Sequence, residues 1–153
     1  MAETKQSFKF GRESVSSILD EIKPLLEQHY QEIAHFKEIP LRPDYNQYVK
    51  LDESGAIRVF TVRAPSSELV GYAIFFVRHN PHYQTSLQAV QDVIFIRKDL
   101  RGFGKSFIEW CDEQLKDEGV QVSYHHVKAA HNFGPMLETI GYKLVDHIYG
   151  RML

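Results

Sequence analysis

The chain has 153 residues, 43% hydrophobic and 25% charged, with eighteen Lys and Arg against twenty Asp and Glu for a formal net charge of -2. That length suits one ordinary domain that buries about two-thirds of its unfolded surface, and a single domain is expected over 1–153. The charge balance argues against a nucleic-acid binder, whose phosphate contacts call for a basic surplus. The single cysteine, Cys111, excludes an internal disulfide and a cysteine-based metal site. The polar start from Met1 to Lys9 has no signal-peptide core, and the longest apolar run, Ala73 to Val77, is too short to cross a bilayer. A cytoplasmic protein without membrane contact is expected.

Residues 1–12 read as a loose start. Val15, Ile18, Leu19, Ile22, Leu25 and Leu26 form a helical stripe that Ser14 or Ser16 can cap. Pro24 interrupts the stripe, which predicts a kink or two helices meeting there, the second running roughly from Leu25 to Lys37. A proline-stiffened loop, 39–44, leads to a short helical piece at Tyr45 to Leu51 and a turn at 52–55. Strands follow at 57–63, where β-branched residues alternate, at Leu69 to Arg78, which is more continuously apolar, and at Leu87 to Ile96. Gly102 to Glu118 has helical spacing of Phe103, Phe107, Ile108, Cys111 and Leu115, and Gly119 closes it. Val120 to Val127 alternates as a strand, Phe133 to Ile140 is a short helix ended by Gly141, and Tyr142 to Met152 supplies one or two last strands. An antiparallel meander followed by strand, helix, strand, helix, strand implies an α/β fold with a mixed sheet.

The stretch from Asp92 to Ser106 passes from strand through the turn Arg101-Gly102-Phe103-Gly104-Lys105-Ser106 into a helix. Two glycines free the backbone for a tight turn and for close approach of a ligand. The first amides of the helix lack internal partners and sit at the positive end of its dipole, so together they suit a pyrophosphate. Gly104-Lys105-Ser106 also matches the end of a P-loop, but the opening glycine of that motif would fall on Asp99, a negative charge where phosphate oxygens belong. A third reading is a plain structural turn.

Arg101-x-x-Gly104-x-Ser106, with the strand before it, resembles the acetyl-CoA motif Q/R-x-x-G-x-G/A of the GNAT superfamily of N-acetyltransferases. Ser106 is slightly larger than the motif residue. The order of helices, meander, motif helix and the late segment from Asn132 to Gly141-Tyr142 is similar to the family's over nearly the whole chain, and the stretch 29–33 and the ending Gly141 to Tyr149 resemble members common in phages and prophages. The resemblance implies a three-layer fold, α/β or in stricter usage α+β, with a mixed, twisted central sheet of six or seven strands and about four helices. It implies acetyl-CoA as co-substrate and no metal. Two strands, about Ala89–Ile96 and Gln121–Val127, splay apart in such a fold, and the pantetheine arm pairs with the main chain near Ile94 and Ile96. The resemblance further implies that the amides of Gly102 to Ser106, including Phe103, hold the pyrophosphate and that Asn132 matches a residue contacting the arm, while Arg101 and Lys105 read either as added charge or as solvated side chains.

Acetyl transfer needs a neutral amine, a polarised thioester and a proton for the departing thiolate. Asp92 stands where family members place a base, and it reads equally as a hydrogen-bonded structural residue. The usual acid, a tyrosine four residues before the glycine of the last helix, is here Leu137, with Tyr124, Tyr142 and Tyr149 as substitutes that also read as packed aromatics. His125 and His126 point to opposite strand faces, so the pair is not a metal site. Acceptor specificity is expected in 28–44 and 79–86, with Tyr30, Glu32 and Tyr83 as lining residues for an amine on a small molecule or a protein. The expected activity is N-acetylation by direct attack in a ternary complex, with a catalytically weak acyl-CoA-binding module as the alternative. A homodimer follows from family habit only, and fold alone names no acceptor.

Overall fold

Alternation and helical periodicity sort the apolar residues onto two faces of one sheet. In order, the chain forms β1 (Lys9–Arg12), α1 (Val15–Ile33), α2 (Tyr45–Glu53), β2 (Ile57–Arg63), β3 (Leu69–Asn80), β4 (Tyr83–Ile96), α3 (Gly104–Asp117), β5 (Val122–Tyr124) and α4 (Gly134–Thr139). The structure is a computed structural model that describes residues 7–100 and 102–153. The strands lie in sequence order, antiparallel from β1 through β4, with β5 parallel to β4. β3 is central and almost wholly buried, which explains its continuous apolar run.

One face of the sheet packs Tyr72, Ile74, Val59 and Phe95 against Val15, Ile18, Ile22 and Leu25 of α1, with Tyr48, Val49 and Leu51 of α2 joining them. The other packs Phe60, Val62, Ala73, Phe75 and Ala89 against Phe107, Cys111 and Leu115 of α3. Three layers result, in a mixed α/β fold. Burial pushes the Cys111 thiol up, so it is packing and not a nucleophile. Among the described residues no helix is long and apolar enough to cross a membrane.

Several expectations need correction. Lys9–Arg12 is a strand rather than part of a loose start, because Phe8 and Phe10 anchor it on Phe103, Phe107 and Trp110. α1 runs unbroken through Pro24, which is exposed, while the stripe Ile18, Ile22, Leu25, His29 stays seated on the sheet and carries the helix past the missing hydrogen bond. It ends at Ile33, short of Lys37. β4 begins at Tyr83, not Leu87, so the turn expected over 79–86 narrows to a hairpin closed by the pair Asn80–Tyr83. The sheet has five strands among the described residues, not six or seven: Tyr142 to Leu153 holds no strand, and Leu144, Val145, Ile148 and Tyr149 are exposed. β5 has only three paired residues, a short edge on which to template another strand.

Candidate active site

Register decides the site. Ile74 faces Val93 and Phe75 faces Gln91, so Asp92 is the extra residue of a β-bulge that bends β4. β5 follows β4 only from Gln88–Val122 to Val90–Tyr124, with Gln121 N donating to Leu87 O at 2.8 Å just before. The ladder ends at Val90–Tyr124, and after it the side chain of His125 still reaches Gln91 of β4. Arg97 N donates to Val70 O of β3 at 2.8 Å. Main-chain groups alternate along a strand, so Ile96 and Ile94 turn theirs to the other edge.

α3 begins beside this edge. Gly102 has φ +138°, a conformation that side chains disfavour, and Phe103 caps the helix without a side-chain hydrogen bond. The first helical bond runs from Phe107 N to Phe103 O at 3.0 Å, which leaves the amides of Gly104, Lys105 and Ser106 ahead of it without intrahelical acceptors. The Phe103 ring packs on Phe8, 4.4 Å centroid to centroid. A methyl placed on Gly104 would lie 3.9 Å from Ile96 Cδ1, so turn and strand end are neighbours. Lys105 and Ser106 are exposed, and Arg101 lies outside the described residues.

Asp92 turns to the helical face of α1 and α2, where its Oδ2 accepts from the Tyr48 hydroxyl at 2.5 Å. Burial and this carboxylate together push the Tyr48 hydroxyl far above its ordinary value, so it remains a donor. On the α3 face, His125 Nδ1 donates to Gln91 Oε1 at 2.9 Å. Phe75, Phe133 and Tyr142 wall the imidazole edge to face. Burial, with His126 adding to it, pushes His125 down to about 4, so the ring is neutral near pH 7.

The other expected residues scatter. The Tyr142 hydroxyl donates to Asp112 Oδ1 of α3 at 2.7 Å, on the face opposite Asp92, and burial raises both groups. Tyr149 is exposed, and Leu137 is buried in α4. Asn132 Oδ1 accepts from Gly134 N at 2.9 Å and so starts α4. Tyr30 donates to Ile39 O at 2.6 Å, clasping the loop behind its own helix. The Glu32 carbonyl accepts from His131 Nε2 at 2.9 Å. Tyr83 is at the far tip of β4, roughly 30 Å from Asp92 for nine residues of strand. Ile94 and Ile96 thus follow Asp92 along β4 and Gly104 adjoins Ile96; Tyr142 packs on His125 across the sheet from Asp92, and Tyr83 and Tyr149 lie apart from these residues.

Sequence reasoning missed Tyr48 and Gln91. Tyr45 and Tyr48 repeat at helical spacing, and Gln91 is a polar residue at a core-facing strand position, but neither signal names a partner far along the chain. Among the described residues no cluster of three His, Cys, Asp or Glu is placed to hold a metal ion.

No family model matches the sequence, and no curated protein matches it. Solved structures do. A ribosomal-protein-alanine N-acetyltransferase from Brucella melitensis biovar Abortus 2308 superposes with a TM-score of 0.72 at 20% identity, over 96% of this chain and 99% of that one. The fold is an acetyltransferase fold. An aminoglycoside acetyltransferase from an uncultured soil metagenomic sample, in complex with sisomicin, matches at 0.70 and 15% identity over 95% and 97%. A predicted acetyltransferase with acetyl-CoA from Clostridium acetobutylicum matches at 0.70 and 10% over 95% and 96%. Coverage of both partners is near complete, so the likeness extends to the layers and sheet order and not to one motif.

Proposed function

We propose that the chain is an acetyl-CoA-dependent N-acetyltransferase that acts on a primary amine of a small molecule or protein by direct attack in a ternary complex. The observation that carries this reading is the join of strand and turn: β4 bulges at Asp92 just after its pairing with β5 ends at Val90–Tyr124, and its far end at Ile96 adjoins Gly104 at the head of α3. A strand edge next to a helix N-terminus suits an extended amide-bearing arm and a diphosphate respectively. The thioester supplies the acyl group, and the residues of the chain position it.

Asp92 is exposed on the side of α1 and α2, and there takes the proton of an incoming ammonium directly or through water. Tyr48 holds its other lobe in place. With Leu137 where a tyrosine acid would stand and the Tyr142 hydroxyl donating to Asp112, the departing thiolate takes its proton from the attacking amine by way of solvent.

Calorimetry with coenzyme A and acetyl-CoA tests the cofactor half, and thiol release against a broad amine panel tests the chemistry. Asp92→Asn should keep acetyl-CoA affinity while turnover falls about 10²- to 10⁴-fold. Absence of heat with either thioester or thiol would overturn the reading; tight binding with no turnover on any amine would turn it to an acyl-CoA-binding module.

A further inference from the structure

We infer that the chain pairs with a second copy of itself by exchanging the segment 142–153, which lies as a strand between the other copy's β5 and the other copy's matching segment. The sheet has a space where such a strand fits. β5 pairs with β4 along one edge, and among the described residues no main-chain hydrogen bond joins its other edge to 142–153. A hollow of about 1560 Å³ lies between them, lined by 120–128 on one side and 142–150 on the other. Both ends of the segment are fixed on their own chain, so closing the gap from within would break those contacts. Tyr142 donates its N–H to Leu137 O at 3.1 Å and its hydroxyl to Asp112 Oδ1 at 2.7 Å. A Cβ on Gly150 would lie 3.3 Å from Phe36 Cε2. An extended chain laid in the hollow gains main-chain partners on both sides.

The segment itself has the pattern of that strand. Six of the eight large apolar side chains exposed among the described residues are Leu144, Val145, Ile148, Tyr149, Met152 and Leu153, so the unburied surface is concentrated here. At about 150–250 Å² for the tyrosine and about 60–120 Å² for each of the others, they present roughly 450–850 Å². That is on the order of the 800 Å² that one partner gives to a stable interface, and as much as the largest patch a monomer usually leaves in water. Two identical strands paired about a two-fold axis run antiparallel, and residues directly opposite share one face, so even numbers meet even and odd meet odd. Centred on Asp146, the pair sets two carboxylates together; centred on His147, it sets Lys143 against the partner's Arg151. Like charges oppose both registers. Centred on Ile148, it sets Ile148 against the partner's Ile148 and Leu144 against the partner's Met152. Asp146 then faces the partner's Gly150, which has no side chain, and His147 faces the partner's Tyr149. In that register the segment complements its own copy.

Sedimentation equilibrium of the full chain measures the pairing. Interfaces of this size hold with micromolar or tighter affinity, so at about 100 μM the chain should weigh twice its 17.8 kDa. Ile148 is 71% exposed, so Ile148→Asp removes nothing from the core. That variant should be monomeric at the same concentration and keep its helical dichroism. Ile148→Cys should link two copies through a disulfide on mild oxidation, because opposed strand residues have Cα atoms about 4.5–5.5 Å apart, within disulfide reach. Cys111 is buried and does not compete. In hydrogen exchange, 122–127 and 143–151 should be at least about tenfold slower in the wild type than in Ile148→Asp. A wild type that sediments as a monomer overturns the proposal. So does a dimer that survives Ile148→Asp, an Ile148→Cys protein that stays unlinked, or equal exchange in the two proteins, since each puts the contact elsewhere or the strand within one chain.

Discussion

Gly71 ties the stability of the sheet to the proposed cofactor site. It pairs with Ile96, and a Cβ built on it lies 2.9 Å from the Phe95 carbonyl oxygen, 3.1 Å from Ile96 Cγ1 and 3.3 Å from Val62 Cγ2. Carbon–oxygen contacts between strands settle at about 3.3–3.6 Å, so Gly71→Ala must part β3 from β4 by roughly 0.4 Å or more. The nearest obstacle is backbone, which cannot rotate aside. Overpacking of this kind costs about 1–3 kcal/mol, and the lower entropy of an unfolded alanine offsets about 0.4–1 kcal/mol of it. A net loss of about 1–2 kcal/mol corresponds to a Tm lower by about 2–8 °C in a chain of this size. Gly11→Ala is the control: its Cβ meets only Thr61 Oγ1, at an ordinary 3.6 Å, and Tm should hold or rise. Scanning calorimetry of both variants decides it. Because the displaced residue is Ile96, coenzyme A affinity should fall in the first variant and not in the second. A Gly71→Ala protein as stable as the wild type, with full affinity, would refute the argument.

Gly104→Glu should leave the melting transition in place, since its side-chain position is open, and weaken coenzyme A by about 100-fold in calorimetry, because a carboxylate about 4 Å from a phosphate repels it by several kcal/mol. His125 is held neutral with its value pushed from 6.5 to about 4, so the unfolded chain binds a proton that the folded one refuses between those values. Its contribution is present above about pH 6.5 and is lost as pH falls toward 4, by about 3 kcal/mol at most. Urea titrations of wild type and His125→Gln across that window should show a steeper acid decline in the wild type, and parallel curves would contradict the assignment. Tyr48→Phe and Asp92→Asn should couple by about 1 kcal/mol in a double-mutant cycle of unfolding free energies, whereas additive effects would mean that their hydrogen bond does not form in solution.

The glycine turn and the helix behind it were legible because their causes are local. Gly102 has a positive φ, and the Phe107, Cys111 and Leu115 stripe follows helical spacing. The start of β1 was not, because four residues carry too few alternations to count, and what holds Phe8 and Phe10 is an aromatic cluster built from the turn and α3. Pro24 misled for the opposite reason: a strong local signal was outweighed by a buried face. The expected β5, Val120 to Val127, shrank to Val122–Tyr124 because its alternation continues past the point where β4 bends away. Leu137 in place of the usual tyrosine could be read directly, but the bond of Tyr142 to Asp112, 30 residues away, could not.

What this sequence determines by itself is whatever a residue imposes within a turn or two of its own backbone: helical stripes, strand alternation, the glycines of the turn and the order of the layers. The bulge at Asp92 is not among these, nor are the pairs Tyr48–Asp92 and Gln91–His125, which join residues 44 and 34 positions apart. They depend on the register between strands, which both packed faces of the sheet set at once. No window along the chain contains that information, because the free energy that chooses the register belongs to the assembled core.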